Sequence, residues 1–327
     1  MCALTALMPE QAIAFVTDPS LTNLTPHDPS DDLAAAARWS NVPGSLALHG
    51  VRGLGGGIEY ALAADFCAAL IPRFIDTRRP SCAQLEEALR RAMERWAGAH
   101  PILRFTGVNG RIAAQLPPAE AREPWQGFGA EIDFFALDPE VYPKVGGLGA
   151  WTVPYVLFIT PLGTNGRMLP GSTITSVDII FNARSCYYLD PGLAGGRCNH
   201  FESLALHEVG HALDLHHPSQ HRARNFDSDA NPLNAIPIDC QDPSRGLRLS
   251  PLIEERAVMN RGLGEPMPVI FALTNDDLGG RNFHYPICPG ARTPAGRALA
   301  GALSRTLRGI AAHLVAATRL TRLFLFR

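Results

Sequence analysis

Residues 205–218 read ALHEVGHALDLHHP and carry four histidines and one glutamate. His207 and His211 are four positions apart, so on a helix they lie on one face, one turn apart. This arrangement suits two imidazoles that bind one metal ion at about 2.0–2.1 Å from each nitrogen. Glu208 points to the adjacent side, where it can reach a water but is poorly placed to be a ligand. The pattern is typical of a hydrolytic metal site that takes two ligands and a general base from a single helical turn.

The alternative is a helix that simply carries surface histidines. A third histidine, His217, follows His211 by six positions, and the residues around the motif are apolar rather than charged. Histidine accounts for only 11 of the 327 residues, so three at these spacings make a rare coincidence. These observations favour the metal site.

The motif resembles that of the metzincin zinc proteases, HExxHxxGxxH followed by a methionine-containing turn. Residues 207–217 read HEVGHALDLHH and match it except at Asp214, where the family has glycine. Further segments resemble the matrixin-like branch over roughly residues 58–286. They are LEEALRRAMERWAGAHPILRFTGV (85–108, first helix and strand), ITSVDIIFN (174–182, substrate-lining edge strand), AVMN (257–260, methionine turn) and LTNDDLGGRNFHY (273–285, closing helix).

The resemblance implies an α+β fold of the zincin/metzincin type. Its mixed twisted sheet and active-site helix would lie above a cleft, with an irregular lower subdomain that ends in a helix. His207, His211 and His217 would bind one catalytic Zn²⁺, and Glu208 would act as general base on a zinc-activated water. Met259 would form an apolar floor beneath the zinc, although it could also be an ordinary core residue. Additional structural Ca²⁺ or Zn²⁺ ions are common in the family, but their ligands cannot be located in this sequence.

Asp214 is the departure from the motif. The family glycine ends the helix in a turn that needs a left-handed residue, and aspartate is among the few other residues that tolerate this conformation. We therefore expect Asp214 to be the turn residue. Two alternatives remain open: Asp214 could hydrogen-bond a ligand histidine, or it could bind the metal itself.

The expected function is that of a zinc metalloendopeptidase, a hydrolase that cleaves polypeptide substrates. The first alternative is a non-catalytic or latent zinc-binding secreted interaction protein on the same scaffold, but the presence of Glu208 favours the enzyme. The second alternative is an intracellular protein with structural histidines, which reduced cysteines and no bound zinc would support.

Composition bears on partners and compartment. A net charge of -2 and a pI near 6.6 argue against a nucleic-acid partner. The N-terminus lacks a basic residue before Arg38 and is a poor match to a secretory signal. Secretion is still expected because the implied function is usually exported, and a cytoplasmic location is the alternative.

Apart from Cys2 there are six cysteines, and 67–82, 186–198 and 240–288 are the simplest disulfide pairing. The competing interpretation is buried thiols in a reducing compartment.

The chain divides into an N-terminal extension (1–57: leader, propeptide or linker), a catalytic domain (58–290) and a basic amphipathic tail (291–327). The tail could contact a membrane surface or dock on protein.

Residues 32–39 are alanine-rich and predict a short helix. We further predict strands at 58–64, 102–108, 130–137, 155–160 and 174–181. Helices are predicted at 81–98 with a Ser81–Gln84 capping box, at 199–213 with Asn199 as cap, and at 274–285 with Thr274 as cap; His200 is expected on the surface.

Overall fold

The computed structural model describes residues 36–39, 53–54, 57–98, 100–108, 130–159, 171–193, 196–221, 225–227, 248–249, 253–260 and 266–285. Its helices are α1 (Phe66–Leu70), α2 (Cys82–Ala97), α3 (Phe201–Ala212) and α4 (Asn275–His284). Its strands are β1 (Ala37–Arg38), β2 (Ile58–Leu62), β3 (Phe105–Gly107), β4 (Ile132–Leu137), β5 (Ala150–Ile159), β6 (Gly171–Asn182), β7 (Tyr187–Tyr188), β8 (Asn199–His200), β9 (Phe226–Asp227) and β10 (Arg248–Leu249).

Six strands form one mixed sheet. Five of them follow the order β1-β6-β4-β2-β3, and the sixth, β5, pairs with the side of β6 opposite to β1 and β4. All pairs are parallel except β5–β6, which is antiparallel. A mostly parallel sheet with separate helices is compatible with the predicted α+β class. Within the described residues β5 is an edge strand, and its backbone is therefore available on one side.

Helix α2 begins and packs as its sequence predicts. The Ser81 hydroxyl accepts a bond from the Gln84 N–H, and the Gln84 side chain accepts one from the Ser81 N–H, which completes the capping box. Its apolar face, including Trp96, is buried. The Trp96 indole N–H donates a 2.7 Å bond to the Leu206 carbonyl on α3, so α2 and α3 are held by a specific contact as well as by apolar burial.

The predicted strands and helices form, and three local expectations are wrong. In the alanine-rich segment, the described residues 36–39 contain strand β1 (Ala37–Arg38) and not the predicted helix, and residues 32–35 lie outside the described residues. The cap of α3 is His200, whose ring accepts a bond from the Ser203 N–H, and not Asn199. His200 is fully buried rather than on the surface, with its ring between Tyr188 and Phe271.

The edge strand is a further correction. The resemblance assigned the substrate-lining edge to residues 174–182, but these residues lie in β6, which has neighbours on both sides. Among the described residues, the strand next to β6 that lies at an edge of the sheet is β5. Strand β3 is largely exposed because it lies at the opposite end of the sheet.

Two of the three predicted disulfides are confirmed: Cys67–Cys82 and Cys186–Cys198. The third, 240–288, lies outside the described residues, as does the tail 291–327. Disulfides are rare in the cytosol, and the two bonds indicate an oxidising, non-cytosolic compartment. In the part of the chain that the structure describes, no helix has the length and apolar character needed to cross a lipid bilayer.

Candidate metal centre

Three histidines meet where α3 ends. His207 and His211 lie one turn apart on α3, and the chain reverses at residues 213–215 so that His217 returns to them. The Nε2 atoms are 3.1 Å apart for the pair His207–His211, 3.1 Å for His211–His217 and 3.0 Å for His207–His217. Three ring nitrogens from separate turns of the chain therefore face one point.

The Nδ1 atoms of His207 and His211 determine the tautomers of these two rings. Nδ1 of His207 lies 2.8 Å from the Val258 carbonyl, and Nδ1 of His211 lies 2.6 Å from the Leu215 carbonyl. Because a carbonyl can only accept, each Nδ1 carries the proton and each Nε2 presents a lone pair. Burial, followed by repulsion from neighbouring imidazoles, holds the pKa of His211 well below its ordinary value. Burial also lowers the pKa of His217.

These residues fit a metal ion. The lone pairs on His207 and His211 repel each other at 3.1 Å unless a cation lies between them. The separations allow all three nitrogens to lie about 2.0–2.1 Å from one ion, as in zinc sites with histidine ligands. A bound ion would also find its ligands already oriented by backbone carbonyls. The group His207, His211 and His217 could therefore hold a metal ion.

A second group of possible ligands occurs among the described residues: Cys67, Cys82 and Glu86. The two cysteines form a disulfide and have no thiolate to offer. The histidine group is accordingly the stronger candidate.

Glu208 lies next to the three histidines and is not one of the group. Its side chain is only 4 % exposed, and its Oε2 accepts a 2.6 Å hydrogen bond from the Thr152 hydroxyl on β5. Burial raises the pKa of the Glu208 carboxyl to about 7, while the bond from Thr152 opposes this rise. A nearby cation would lower the pKa, so the carboxylate form suited to accepting a proton would be favoured.

Asp214 is the residue at which the chain reverses. Its φ of 70° is the only positive value among the non-glycine residues that the structure describes. The turn is closed by the Asp214 N–H, which donates to the His211 carbonyl, and by the Leu215 N–H, which donates to the Gly210 carbonyl. The side chain is buried, and its Oδ2 accepts a 2.9 Å bond from the Ala37 N–H.

Met259 lies in a 3₁₀ turn at Val258–Asn260 and packs against α3. A Cβ added at Gly210 would lie 2.2 Å from the Met259 sulfur and 2.8 Å from Trp96 Cζ2, so the helix approaches both side chains as closely as glycine allows. The turn thus supports the helix from the side of Gly210. It also supplies the Val258 carbonyl that orients His207.

The carboxylate of Asp277 on α4 fixes this turn. It accepts hydrogen bonds from the N–H groups of Val258 (3.0 Å) and Met259 (3.1 Å), and from the Thr274 N–H in the predicted cap of α4. The sequence predicts Thr274 as the cap of α4 but not this second role of Asp277. No short-range pattern indicates it, because residues 258 and 277 belong to different elements.

The metal centre opens into a cleft of about 330 Å³ between β5 and α3. Besides the three histidines and Glu208, the cleft is lined by Trp151 and Thr152 of β5, by Leu204 of α3, and by Met267. His216 and His221, which the motif spacing excludes as ligands, also line it. An extended chain could lie in this cleft beside the β5 edge.

Comparison with known proteins adds no relative: no protein-family model matches the chain, and no curated protein matches it significantly.

Proposed function

We propose that this protein is a zinc-dependent endopeptidase of the metzincin type, with a matrixin-like arrangement of its catalytic domain. One observation carries the proposal: the Nε2 atoms of His207, His211 and His217 lie within 3.1 Å of one another in a cleft that the Glu208 carboxylate also lines. Three neutral imidazoles leave a position open on the ion, which is typical of a catalytic site and not of a closed structural one.

His207, His211 and His217 would hold the zinc ion. When bound, zinc supplies Lewis-acid chemistry: it polarises a carbonyl group and makes water a nucleophile at neutral pH.

Glu208 is the proton carrier of the proposed reaction. It takes a proton from the attacking water as the water oxygen bonds to the peptide carbonyl carbon, and it later delivers that proton to the leaving amine as the C–N bond breaks. Thr152 holds Oε2 of Glu208, which leaves Oε1 for the transfer. No covalent intermediate with the enzyme is required.

Strand β5 would align the substrate. A peptide that adds to an exposed sheet edge gains main-chain hydrogen bonds, and alternate side chains then point into the cleft. Trp151 and Pro154 of β5 line that cleft beside Glu208. The peptide group to be cut would thereby lie next to the metal centre.

The two disulfides indicate an oxidising compartment, and we propose that the protein is secreted. Its substrates would then be extracellular polypeptides.

The proposal is tested by zinc content and by casein or gelatin cleavage for the full chain and for Glu208→Gln. We expect about one zinc per chain in both proteins, as in a site with three histidine ligands. Cleavage should fall by a factor of at least about 100 in Glu208→Gln, since the amide cannot accept the proton. Zinc without cleavage in the wild type would favour a latent or non-catalytic zinc-binding protein, and no zinc would contradict the site itself.

A further inference from the structure

The N-terminal segment, residues 36–39, is packed into the same apolar core as helix α3, although the sequence predicts that it belongs to a separate extension. Ala37 and Trp39 are buried in the main apolar core. Strand β1 pairs with only two residues of β6, so the sheet alone holds this segment weakly. Outside the sheet the segment contacts the end of α3 and α4, and Ala36 belongs to an apolar cluster with Phe226 of β9 and Phe283 of α4.

Trp39 is hydrogen-bonded to the C-terminal end of α3, the helix that carries His207 and His211. Its indole N–H donates a 2.9 Å bond to the carbonyl of Ala212, the last residue of α3. The last carbonyls of a helix have no partner within the helix, and this bond satisfies one of them. The backbone N–H of Trp39 donates to the Tyr285 hydroxyl at 3.2 Å, which ties the segment to the residue after α4 as well.

Ala37 is hydrogen-bonded to the turn that follows α3. Its N–H donates the 2.9 Å bond to Oδ2 of Asp214, the residue with φ of 70° that lies between the ligands His211 and His217. Glycine adopts this backbone conformation without strain, whereas aspartate does not. What aspartate adds is a carboxylate, and a bond to a charged acceptor is stronger than one to a neutral acceptor.

Arg38 places a positive charge near that carboxylate. Its guanidinium lies 5.6 Å from the centre of the Phe283 ring on α4, and its charge interacts favourably with Asp214. A buried carboxylate needs such compensation, because charge is costly to remove from water.

We propose that Asp214 is a positioning residue of the metal centre and that the N-terminal segment helps to fix the geometry of that centre. The bond between the Ala37 N–H and the Asp214 carboxylate fixes the turn that brings His217 to His207 and His211. This inference rests on the metal centre of the proposed function and does not depend on peptidase activity.

The competing explanation is that Asp214 merely substitutes for glycine in a left-handed turn. The two explanations predict opposite results for Asp214→Gly. If the residue serves only the turn, glycine relieves strain and zinc is held as well as before or better. If the carboxylate positions the ligand, glycine loosens the site.

The experiment measures the rate at which zinc passes from the full-length protein to a chromophoric chelator. The variants are Asp214→Gly, Ala37→Pro (which removes the N–H donor), the double variant, and Asp214→Asn as the matched control. Asparagine tolerates the same backbone conformation and keeps an oxygen acceptor. Thermal melting of each variant verifies that it is folded.

We expect Asp214→Gly and Ala37→Pro each to release zinc about tenfold faster, in line with the loss of other groups that support metal ligands. The double variant should be no faster than the single ones, because both remove the same bond. Asp214→Asn should stay within about threefold of the wild type, because a neutral acceptor retains about half of the energy of such a bond. If Ala37→Pro does not fold, Trp39→Phe, which removes the indole donor to Ala212, replaces it with the same expectation of faster release.

Unchanged or slower release in Asp214→Gly, or fully multiplicative effects in the double variant, would overturn the inference while the proposed function stands. A wild type that binds zinc but cleaves nothing would contradict the proposed function, and the release rates would still decide the inference. A wild type that takes up no zinc would overturn both.

Discussion

The hydroxyl of Thr152 donates a 2.6 Å hydrogen bond to Oε2 of Glu208, and the same hydroxyl lies 3.2 Å from the Glu208 backbone carbonyl. Strand β5 and helix α3 are thus joined at the residue proposed to carry the proton. The bond orients the carboxylate and compensates in part for its burial. Thr152 therefore positions the Glu208 side chain for the proposed reaction.

Replacing Thr152 with valine keeps the shape of the side chain and removes the hydrogen bond. A bond to a charged group contributes about 1.5–3 kcal/mol. If that energy is used to orient Glu208, kcat should fall about 10- to 100-fold. KM and zinc content should change little, because valine keeps the shape that Thr152 presents to the cleft and the three histidines are unchanged.

Thr152→Ser is the matched control, since it keeps the hydroxyl and should retain most of the wild-type kcat. Steady-state kinetics on a fluorogenic peptide separates the two parameters. Equal activity in the valine and serine variants would mean that the hydroxyl does not position Glu208.

The substitution Gly210→Ala tests the packing between α3 and the methionine turn. Alanine is a better helix former by about 1 kcal/mol, yet here its Cβ would overlap the Met259 sulfur and Trp96. Overpacking of this kind costs about 1–3 kcal/mol, so Gly210→Ala should lower the free energy of unfolding measured in urea. Gly192→Ala, whose Cβ meets only Asp190 at 3.3 Å, should change it by less than about 0.5 kcal/mol. A more stable Gly210→Ala protein would show that helix propensity outweighs this contact.

Asp277 is predicted to act on His207 through the methionine turn. In Asp277→Asn, an amide NH₂ would replace one of the oxygens that accept the Val258 and Met259 N–H groups, and buried donors would lose their partner. We expect a loss of about 1–3 kcal/mol in unfolding free energy. Zinc release should also be faster, because the Val258 carbonyl that orients His207 would move.

The neighbouring Asp276 provides the control for this effect. Its Oδ2 accepts from the Glu254 N–H, outside the methionine turn. Asp276→Asn should therefore lower stability without a change in the rate of zinc release. Faster release in both variants would indicate a general loosening of α4 and not a specific effect on His207.

The sequence predicts that the rings of His207 and His211 lie together, because helical periodicity fixes the positions of these residues relative to each other. The position of His217 depends on one left-handed residue, for which aspartate is an acceptable substitute for glycine. Thr152 and Asp277 could not be predicted in their roles, because each acts on a residue that only the tertiary structure brings near.

Contacts that only the tertiary structure creates explain other errors as well. The segment at 32–39 has the composition of a helix, and its last residues form a strand because β6, α3 and α4 supply their partners. Strand β5 contains Pro154, which cannot donate a backbone hydrogen bond and is typical of an edge strand, but the strand predicted from the sequence began only at residue 155 and missed this signal. His200 is polar, yet it is buried as the cap of α3, where its ring bonds to Ser203 and to the Leu189 carbonyl.

His100 should make stability depend on pH. Its Nε2 donates to the Tyr285 carbonyl at 2.6 Å, and its Nδ1 accepts from the Leu103 N–H at 3.0 Å, so the folded state holds a neutral ring. Burial lowers its pKa to about 4, well below the value of about 6.5 in an unfolded chain. The unfolded state therefore gains a proton first as the pH falls, and this contribution to stability is lost between about pH 6.5 and 4.

Replacing His100 with glutamine tests this contribution, since an amide can make both bonds but does not titrate in this range. The melting temperature of the wild type should fall more steeply than that of His100→Gln as the pH is lowered from 7 to 4. Parallel curves would mean that His100 is not responsible for the dependence.

The Cys186–Cys198 disulfide lies directly before α3, and the Asn199 N–H that follows it donates to the Cys186 carbonyl. Asn199 lines the cleft and accepts a 2.8 Å bond from the Met267 N–H, so it connects this disulfide to the cleft wall. Replacing both cysteines with serine should cost about 2–4 kcal/mol of unfolding free energy. It should also raise KM, because Asn199 and Met267 would lose their fixed separation.

The Cys67–Cys82 disulfide offers a closely matched comparison, because it spans 15 positions against 12 for Cys186–Cys198. Chain entropy depends only weakly on that length, and its double serine variant should lose a similar amount of stability. It joins α1 to the start of α2 and none of its residues lines the cleft, so KM should stay at the wild-type value. Equal effects of the two variants on KM would show that the disulfide before α3 acts on overall stability alone.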